Sequence, residues 1–179
     1  MSLRVESPLQ RSQLPLWHSW LQSIPDLIAA YKQELPSFLA TFEPILARSL
    51  SWGVWDGVEM VGAVIFEPIT YPGDPLVRDG VTHFALSPTT LHKGALLRRV
   101  FPSLIDAAFS SIPHLLRMSA WIVGERPGMV RLVEAMGFRW EGTLRASGVV
   151  NGETQNTYLY GLTRNDFYVH DADESKQHN

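Results

Sequence analysis

One face of a helix is marked by apolar residues in the last third of the chain. Residues 125–136 place apolar side chains at i, i+3, i+4 and i+7, the spacing of a helix that buries one side. These side chains are Met129, Leu132, Val133 and Met136. Gly137 is expected to end the helix because glycine suits the left-handed conformation at a helix C-terminus. From Phe138 onward the residues have strand character, so the pattern predicts a helix docked on a sheet and followed at once by a strand.

Two hairpins are predicted from turn residues between apolar runs. Residues 52–55 and 58–69 have strand spacing and are joined by an Asp-Gly pair. The second of these strands is apolar on both faces, which predicts a central position in the sheet. Residues 138–150 and 153–162 are joined by an Asn-Gly pair, which suits the positive φ angles of a type I′ turn. The predicted core therefore begins and ends with a pair of antiparallel strands.

Strand and helix patterns alternate between the two hairpins. Residues 81–86 and 115–123 have strand spacing, and residues 71–75 are expected to form a loop because of their turn residues. An apolar stripe over 96–109 predicts a helix, which Pro102 is expected to kink or split. The predicted order is hairpin, strand, helix, strand, helix, hairpin.

The two ends of the chain differ from this core. Residues 13–50 have apolar residues at helical spacing with four interrupting prolines. Residues 166–179 are polar and mostly acidic, so they are expected to form a flexible tail. We predict one domain over 1–165, in which a divergent helical segment, 1–50, precedes the core over 51–165.

Composition excludes several classes of function. A net charge of −3 gives no broad basic surface for nucleic acid or an anionic membrane. Cysteine is absent, which excludes disulfides, thiolate metal sites and a cysteine nucleophile, and the six histidines lack metal-ligand spacing, so no metal is expected. No signal peptide and no apolar run of about 20 residues is present, so we predict a soluble, cytoplasmic protein.

Short motifs in the C-terminal third resemble those of a known family. They are Gly137-Phe138, Glu141-Gly142, Asn151-Gly152 and the run from Tyr160 to Asp166. Together with the element order over residues 50–165, they resemble the GNAT N-acetyltransferases and, within them, the RimJ/RimL-like branch. The resemblance implies an α/β (α+β) fold with a mixed central sheet, a splayed central strand pair, flanking helices and a C-terminal β-hairpin.

The resemblance also implies where acetyl-CoA binds. In the family, a central strand pairs with the pantetheine arm and the next loop presents N–H groups to the pyrophosphate at a helix N-terminus, where those groups are unpaired. The corresponding candidates are Phe84, Ala85, Leu86, Leu91, His92, Lys93, Gly94, Ala95 and Leu96, with Arg126 on the adenosine side.

The loop departs from the family pattern at its first and last signature places. Leu91 stands where the family has Gln or Arg, and Leu96 where it has a small residue, so the Leu96 side chain is expected to hinder the phosphates. Basic neighbours, including Arg98 and Arg99, would compensate with charge. The alternative is an ordinary helix start capped by Thr89 or Thr90.

Acetyl transfer to an amine requires a proton acceptor and a proton for the departing thiolate. His83 is the first candidate base because imidazole titrates near neutrality, and Glu67 is the second. Tyr158 and Tyr160, expected to face opposite sides of the last strand, are candidate proton donors. For each of these four residues the alternative is packing or solvation without a catalytic role.

The predicted function is direct transfer of an acetyl group from acetyl-CoA to an amine: a protein N-terminus, a lysine or a small molecule. The family's Asn and Ser places near the second helix are taken by Arg126 and Met129. That loss supports a rival, an inactive GNAT-fold module that binds a protein partner or its own copies as a subunit of a larger assembly. A third hypothesis is a CoA-binding regulator without turnover.

Overall fold

One mixed sheet organises the chain, for which a computed structural model describes residues 3–23, 33–90 and 93–169. The strands in the described ranges are β1 Leu3–Glu6, β2 Leu50–Asp56, β3 Glu59–Tyr71, β4 Asp74–Leu86, β5 Arg117–Val123, β6 Arg139–Val150 and β7 Glu153–Thr163. Their spatial order is β1-β2-β3-β4-β5-β7-β6. Neighbouring strands are antiparallel except β4 and β5, which run parallel.

Helices cover both faces of the sheet. They are α1 Leu14–Gln22, α2 Leu35–Arg48, α3 Lys93–Ser111 and α4 Pro127–Ala135, with a short 3-10 helix over Arg11–Gln13. Helices α1 and α2 pack on one face, and α3 and α4 pack on the other. No helix in the described ranges is long and apolar enough to cross a membrane.

Strand β3 lies inside the sheet and supplies both cores. Ala63 and Ile65 pack with α1 and α2, whereas Val64 and Phe66 pack with α3 and α4. Alternate residues of a strand point to opposite faces, so a strand buried on both sides must be apolar throughout. The central position predicted from the sequence is therefore confirmed.

Gly137 ends α4 as its residue type predicts. Its φ is +87°, and the N–H groups of Gly137 and Phe138 donate to the carbonyls of Glu134 and Val133 at 3.0 Å. These bonds satisfy carbonyls that have no partner within the helix.

The structure corrects three local predictions, two of them fully and one in part. The segment 71–75 is not an open loop. Gly73, at φ +85°, completes a tight turn, so β3 extends as far as Tyr71 and β4 begins at Asp74. Helix α3 is continuous through Pro102 and is not split there, while the alternative, a kink, stays a prediction. Pro102 lies on the exposed side of the helix, where water can solvate the carbonyl that proline leaves without a partner.

The third concerns the tail, which does not begin at residue 166. Residues 164–169 are helical, Phe167 is buried, and the Tyr168 hydroxyl donates to Asp106 at 2.9 Å. The predicted segment therefore starts too early, since one aromatic side chain is enough to hold this turn on α3. Residues 170–179 lie outside the described residues.

Arg164 closes the C-terminal end of α3, and its loss should destabilise the fold. Its guanidinium donates to the carbonyls of Leu115 at 2.8 Å, Phe109 at 2.6 Å and Ile112 at 2.9 Å. We expect Arg164→Met to lower the free energy of unfolding by about 3 kcal/mol, because charge-assisted bonds are lost and several carbonyls lose their donor. Urea denaturation measures this change.

The matched control is Arg139→Met. Arg139 is well exposed and lies 3.5 Å from Asp166, and such surface ion pairs contribute less than about 1 kcal/mol. Equal destabilisation by both variants would contradict the role assigned to Arg164.

Candidate functional site

The parallel strands β4 and β5 part from one another toward their C-terminal ends. In the described residues they pair in register at Val81 and Ser119, and just below this pair the Leu116 N–H donates to the Arg78 carbonyl at 2.9 Å. Beyond this point a cavity separates the two strands. The splayed central pair that the family resemblance implies is therefore present.

A polar cluster centred on the buried side chains of Asp79 and Ser119 holds the closed end of this strand pair together. The Asp79 carboxylate accepts from Ser119 Oγ at 2.9 Å, from the Gly80 N–H at 2.7 Å and from the Tyr71 hydroxyl at 3.2 Å. Arg117 Nε lies 3.4 Å from the same carboxylate. Burial raises the pKa of Tyr71 and the charge of Asp79 adds to it, so Tyr71 stays a donor. Because the two strands are held together at one end and separated by the cavity toward the other, the gap is a fixed feature of the sheet.

The cavity has a volume of about 390 Å³ and extends through the sheet between its two helical layers. Its lining from α1 and α2 is Trp17, Leu21, Thr41, Phe42 and Ile45. Its lining from the strands and α4 is Val81, Thr82, His83, Phe84, Ala120, Trp121, Ile122, Val123, Arg126, Met129 and Val133. A ligand in this gap would contact both layers at once.

A histidine and a glutamate on adjacent strands form a pair at the cavity. His83 Nε2 lies 3.0 Å from Glu67 Oε2, and the other carboxylate oxygen of Glu67 accepts from Arg48. Burial lowers the pKa of His83, and the hydrogen bond and charge of Glu67 offset this only in part. Burial alone would raise the pKa of Glu67, but hydrogen bonds from Arg48 and His83 outweigh it and the pKa is lowered.

These shifts favour a neutral imidazole beside an ionised carboxylate at neutral pH. When Glu67 accepts the Nε2–H, the basic lone pair of His83 is on Nδ1. The pair therefore has the composition of a general base with an orienting carboxylate.

Three cavity-lining side chains have buried polar atoms without a hydrogen-bond partner among the described residues. These atoms are Trp17 Nε1, Thr82 Oγ1 and Arg126 Nη2. The Arg126 guanidinium is held in place by its Nε, which donates to the Val123 carbonyl at 3.1 Å. An unmade hydrogen bond at a buried donor costs about 1–3 kcal/mol, so a ligand acceptor that reached one of these atoms would recover that free energy.

The predicted cosubstrate residues are spread along β4 and the start of α3. Phe84 lines the cavity, while Ala85 is buried against α1 and α2, and Leu86 packs on the opposite layer. Gly94 and Ala95 are exposed in the first turn of α3, and the space beside the Gly94 Cα is open.

The other four positions of that segment have different outcomes. Leu96 lies in the first turn of α3, where its side chain is 3% exposed and packs in the core. The expected hindrance of the phosphates stays a prediction. Lys93 is the first residue of α3. Leu91 and His92 lie outside the described residues.

The two threonines proposed as helix caps have other partners. Thr90 Oγ1 donates to the Val61 carbonyl at 3.2 Å, and Thr89 Oγ1 shares a hydrogen bond of 2.8 Å with Ser87 Oγ. Both hydroxyls therefore fix the end of β4 instead of capping α3, which begins at Lys93.

Tyr158 and Tyr160 lie on the same face of β7. They stand opposite Ile122 and Ala120 of β5 and pack with the core under α3 and α4. The prediction of opposite faces is wrong because residues two apart in a strand share a face. Neither is among the described residues that line the cavity, and burial raises the pKa of Tyr160.

Sequence reasoning did not name Trp17 or Thr82 as site residues. Trp17 has the spacing of an ordinary core residue and Thr82 that of an ordinary strand residue, so neither has a local signal of ligand contact. In the described part of the chain, no group of three or more His, Asp or Glu side chains could hold a metal ion.

Comparison with known proteins identifies the fold. No family model matches this chain, and no curated protein matches it. Among solved structures, a chimera of Vibrio cholerae spermidine N-acetyltransferase SpeG and hSSAT superposes with a TM-score of 0.76 at 20% identity, over 93% of this chain and 98% of that one. The Vibrio cholerae spermidine N-acetyltransferase in complex with CoA and spermine gives a TM-score of 0.75 at 19% identity, over 93% and 98% of the two chains. The fold is therefore that of the GNAT N-acetyltransferases, as the sequence predicted.

Proposed function

We propose that this protein is an N-acetyltransferase of the RimJ/RimL-like branch that transfers the acetyl group of acetyl-CoA directly to an amine in the cytoplasm. The observation that supports this most is the gap between β4 and β5, which has unpaired donors toward α4 and the His83–Glu67 pair toward α1 and α2. A fold neighbour was solved with CoA and an amine bound.

The cosubstrate would lie along β4 with its phosphates at the start of α3. Residues 84–86 offer strand backbone to the pantetheine arm, and residues 93–96 offer helix N-terminal amides to the phosphates, where Arg98 and Arg99 are exposed on the next turn. Arg126 Nη2 and Thr82 Oγ1 offer hydrogen bonds to carbonyl oxygens of the arm or the thioester.

The amine would approach from the α1 and α2 side, where His83 lies. The nitrogen lone pair attacks the thioester carbon, the N–C bond forms and the C–S bond breaks. His83 accepts the proton that the amine loses, and Glu67 stabilises the resulting imidazolium. The imidazolium can return this proton to the departing thiolate, so the step is balanced. The role of Tyr158 or Tyr160 as proton donor stays a prediction.

Two measurements test the proposal together: calorimetric titration with acetyl-CoA, and thiol release against a panel of small amines, peptide N-termini and lysine peptides. We expect binding heat and amine-dependent release. Absence of heat at millimolar acetyl-CoA would contradict the cosubstrate assignment. Heat without release would contradict transfer and support a CoA-binding regulator.

A second candidate is an interaction module without turnover. Apolar side chains are exposed around the C-terminal hairpin: Trp140 is 61% exposed, Trp121 56% and Leu144 46%. Exposed aromatic residues of this kind are typical of protein contacts. This candidate predicts self-association or partner binding together with no heat and no thiol release in the two measurements above.

Arg126 gives a specific test of the cosubstrate side. We expect Arg126→Met to weaken acetyl-CoA binding by about 10- to 100-fold, because a buried hydrogen bond from a charged donor contributes roughly 1.5–3 kcal/mol. Titration calorimetry measures the change. Arg131→Met, an exposed arginine of the same helix, is the control and should leave the Kd unchanged. An unchanged Kd in Arg126→Met would remove Arg126 from the site.

A further inference from the structure

One arginine contacts the His83–Glu67 pair from outside the cavity. Arg48 Nη2 donates to Glu67 Oε1, and the other carboxylate oxygen of Glu67 lies 3.0 Å from His83 Nε2. The exposed fraction of the side chain falls from 58% at Arg48 to 20% at Glu67 and 15% at His83. The three side chains therefore form a chain of contacts from the surface to the cavity, and Arg48 is not among the described residues that line the cavity.

The backbone fixes Arg48 beside Glu67. Arg48 is the last residue of α2, and β2 begins two residues later, at Leu50. Leu50 stands opposite Phe66 in the β2–β3 pairing. The end of α2 therefore lies next to the part of β3 that carries Glu67, so this contact is set by the point at which the chain passes from the helix into the sheet.

The contact with Arg48 has two consequences for the pair. The hydrogen bond to Oε1 leaves Oε2 of Glu67 to face His83, so Arg48 orients the carboxylate. The guanidinium charge also offsets part of the negative charge that Glu67 presents to an imidazolium. Burial would raise the pKa of Glu67, but the hydrogen bonds from Arg48 and His83 outweigh it, so the carboxylate is ionised at neutral pH.

The elements packed around the pair contribute few other charges in the described ranges. Phe42 of α2 meets the His83 ring edge-on at a centroid distance of 6.2 Å, and the cavity-lining residues of α1 and β5 are uncharged. Arg126, which precedes α4 in the opposite layer, brings a positive charge to the cavity lining. Arg126 is kept in all the variants below, so its effect on His83 is common to them.

We infer that Arg48 is a positioning residue: it holds the Glu67 carboxylate in the orientation that serves His83 as a base, and it limits how strongly that carboxylate stabilises the imidazolium. Loss of Arg48 should therefore favour protonation of His83, whereas loss of the Glu67 charge should oppose it. The catalytic consequence rests on the proposed function, while the protonation of His83 can be measured without acetyl-CoA or turnover.

NMR titration of the full chain measures this protonation. The chain has six histidines, and the imidazole signal that disappears in His83→Gln belongs to His83. We expect His83 in Arg48→Met to bind a proton about three- to tenfold more tightly, because a nearby positive charge is lost. Glu67→Gln should change the titration in the opposite direction. Arg48→Lys keeps the positive charge, so its His83 titration should stay close to that of the unmodified chain.

Steady-state thiol release tests the catalytic consequence. We expect Arg48→Met to lower kcat by about three- to tenfold, because the carboxylate that orients the base is no longer held, and to leave the KM for acetyl-CoA unchanged. The acidic limb of its pH profile should move to higher pH, opposite to the movement expected for Glu67→Gln. In the double variant, Arg48→Met should add little to Glu67→Gln, since the carboxylate through which Arg48 acts is absent.

Arg11→Met is the matched control. Arg11 Nε donates to Glu43 Oε1 at 2.7 Å, so this variant also removes an arginine that is paired with a glutamate, here one that belongs to α2 itself. Neither residue of this pair is among the described residues that line the cavity. The His83 titration and kcat should both be unchanged in Arg11→Met.

Four results decide the outcome. An unchanged or weakened proton affinity of His83 in Arg48→Met, or an equal effect in Arg11→Met, would overturn the inference. A stronger proton affinity with an unchanged kcat and pH profile would also overturn it, because Arg48 would then not act in catalysis. Opposite titration changes in Arg48→Met and Glu67→Gln, in a chain that releases no thiol, would support the positioning of the pair by Arg48 and contradict the proposed transfer instead.

Discussion

His83→Gln is expected to lower kcat for amine acetylation by about 10²- to 10⁴-fold, the usual contribution of a general base. Glutamine keeps a polar side chain of similar length but does not accept the proton. His83 lies at the cavity and is oriented by Glu67 at 3.0 Å, so its loss should affect kcat far more than the KM for acetyl-CoA. Steady-state thiol release with a saturating amine measures both parameters.

The pH profile distinguishes a base from a structural histidine. The base must be neutral, and burial lowers its pKa below the ordinary 6.5, so the acidic loss of activity assigned to His83 should occur below pH 6.5. Glu67→Gln removes a charge that raises this pKa, and the acidic limb should therefore move to still lower pH. A limb that does not move would contradict the pairing.

The control for this experiment is His114→Gln. His114 is exposed and lies outside the cavity lining, so its replacement should leave kcat unchanged. A His83→Gln variant with full kcat and unchanged stability would show that another group accepts the proton.

The second large effect is expected from filling the gap between the strands. Ala120 lies on β5 opposite Tyr160 and lines the cavity. Ala120→Phe places a ring in a space of about 390 Å³, so acetyl-CoA binding should weaken by more than about 100-fold. The free energy of unfolding should change by less than roughly 1.5 kcal/mol, because the ring fills existing space instead of overpacking a filled core.

Calorimetry and urea denaturation together check this prediction. Ala120→Leu should give a smaller loss of affinity in the same direction. Ala135→Phe adds the same ring at an exposed position of α4 and should leave acetyl-CoA binding unchanged. Full acetyl-CoA affinity in a folded Ala120→Phe variant would place the cosubstrate elsewhere.

Much of the fold could be predicted because its signals are local. The stripe of apolar residues in α4, the Gly137 stop, the Asn151-Gly152 turn and the apolar faces of β3 each lie within a few residues of sequence. The errors occurred where a neighbour overrode a local tendency. Phe167, for example, holds a polar segment on the core, and the exposed side of α3 accommodates Pro102.

The candidate site was less predictable because its members are distant in the chain. His83 and Glu67 are brought together by the β3–β4 pairing, in which Glu67 stands opposite Val81, so that His83 is its diagonal neighbour. Trp17 reaches the same cavity from a helix more than 60 residues earlier in the chain.

The sequence by itself determined the order and type of the elements and the residue types available for acetyl transfer, because periodicity and turn chemistry act over short spans. Only the tertiary structure decided where β4 and β5 part, above Val81 and Ser119, and that Trp17, Thr82 and Arg126 line the same cavity. The physical reason is that a cavity forms where two layers fail to fill the space between two strands. Whether such a cavity forms depends on every side chain packed around the gap and on no single stretch of sequence.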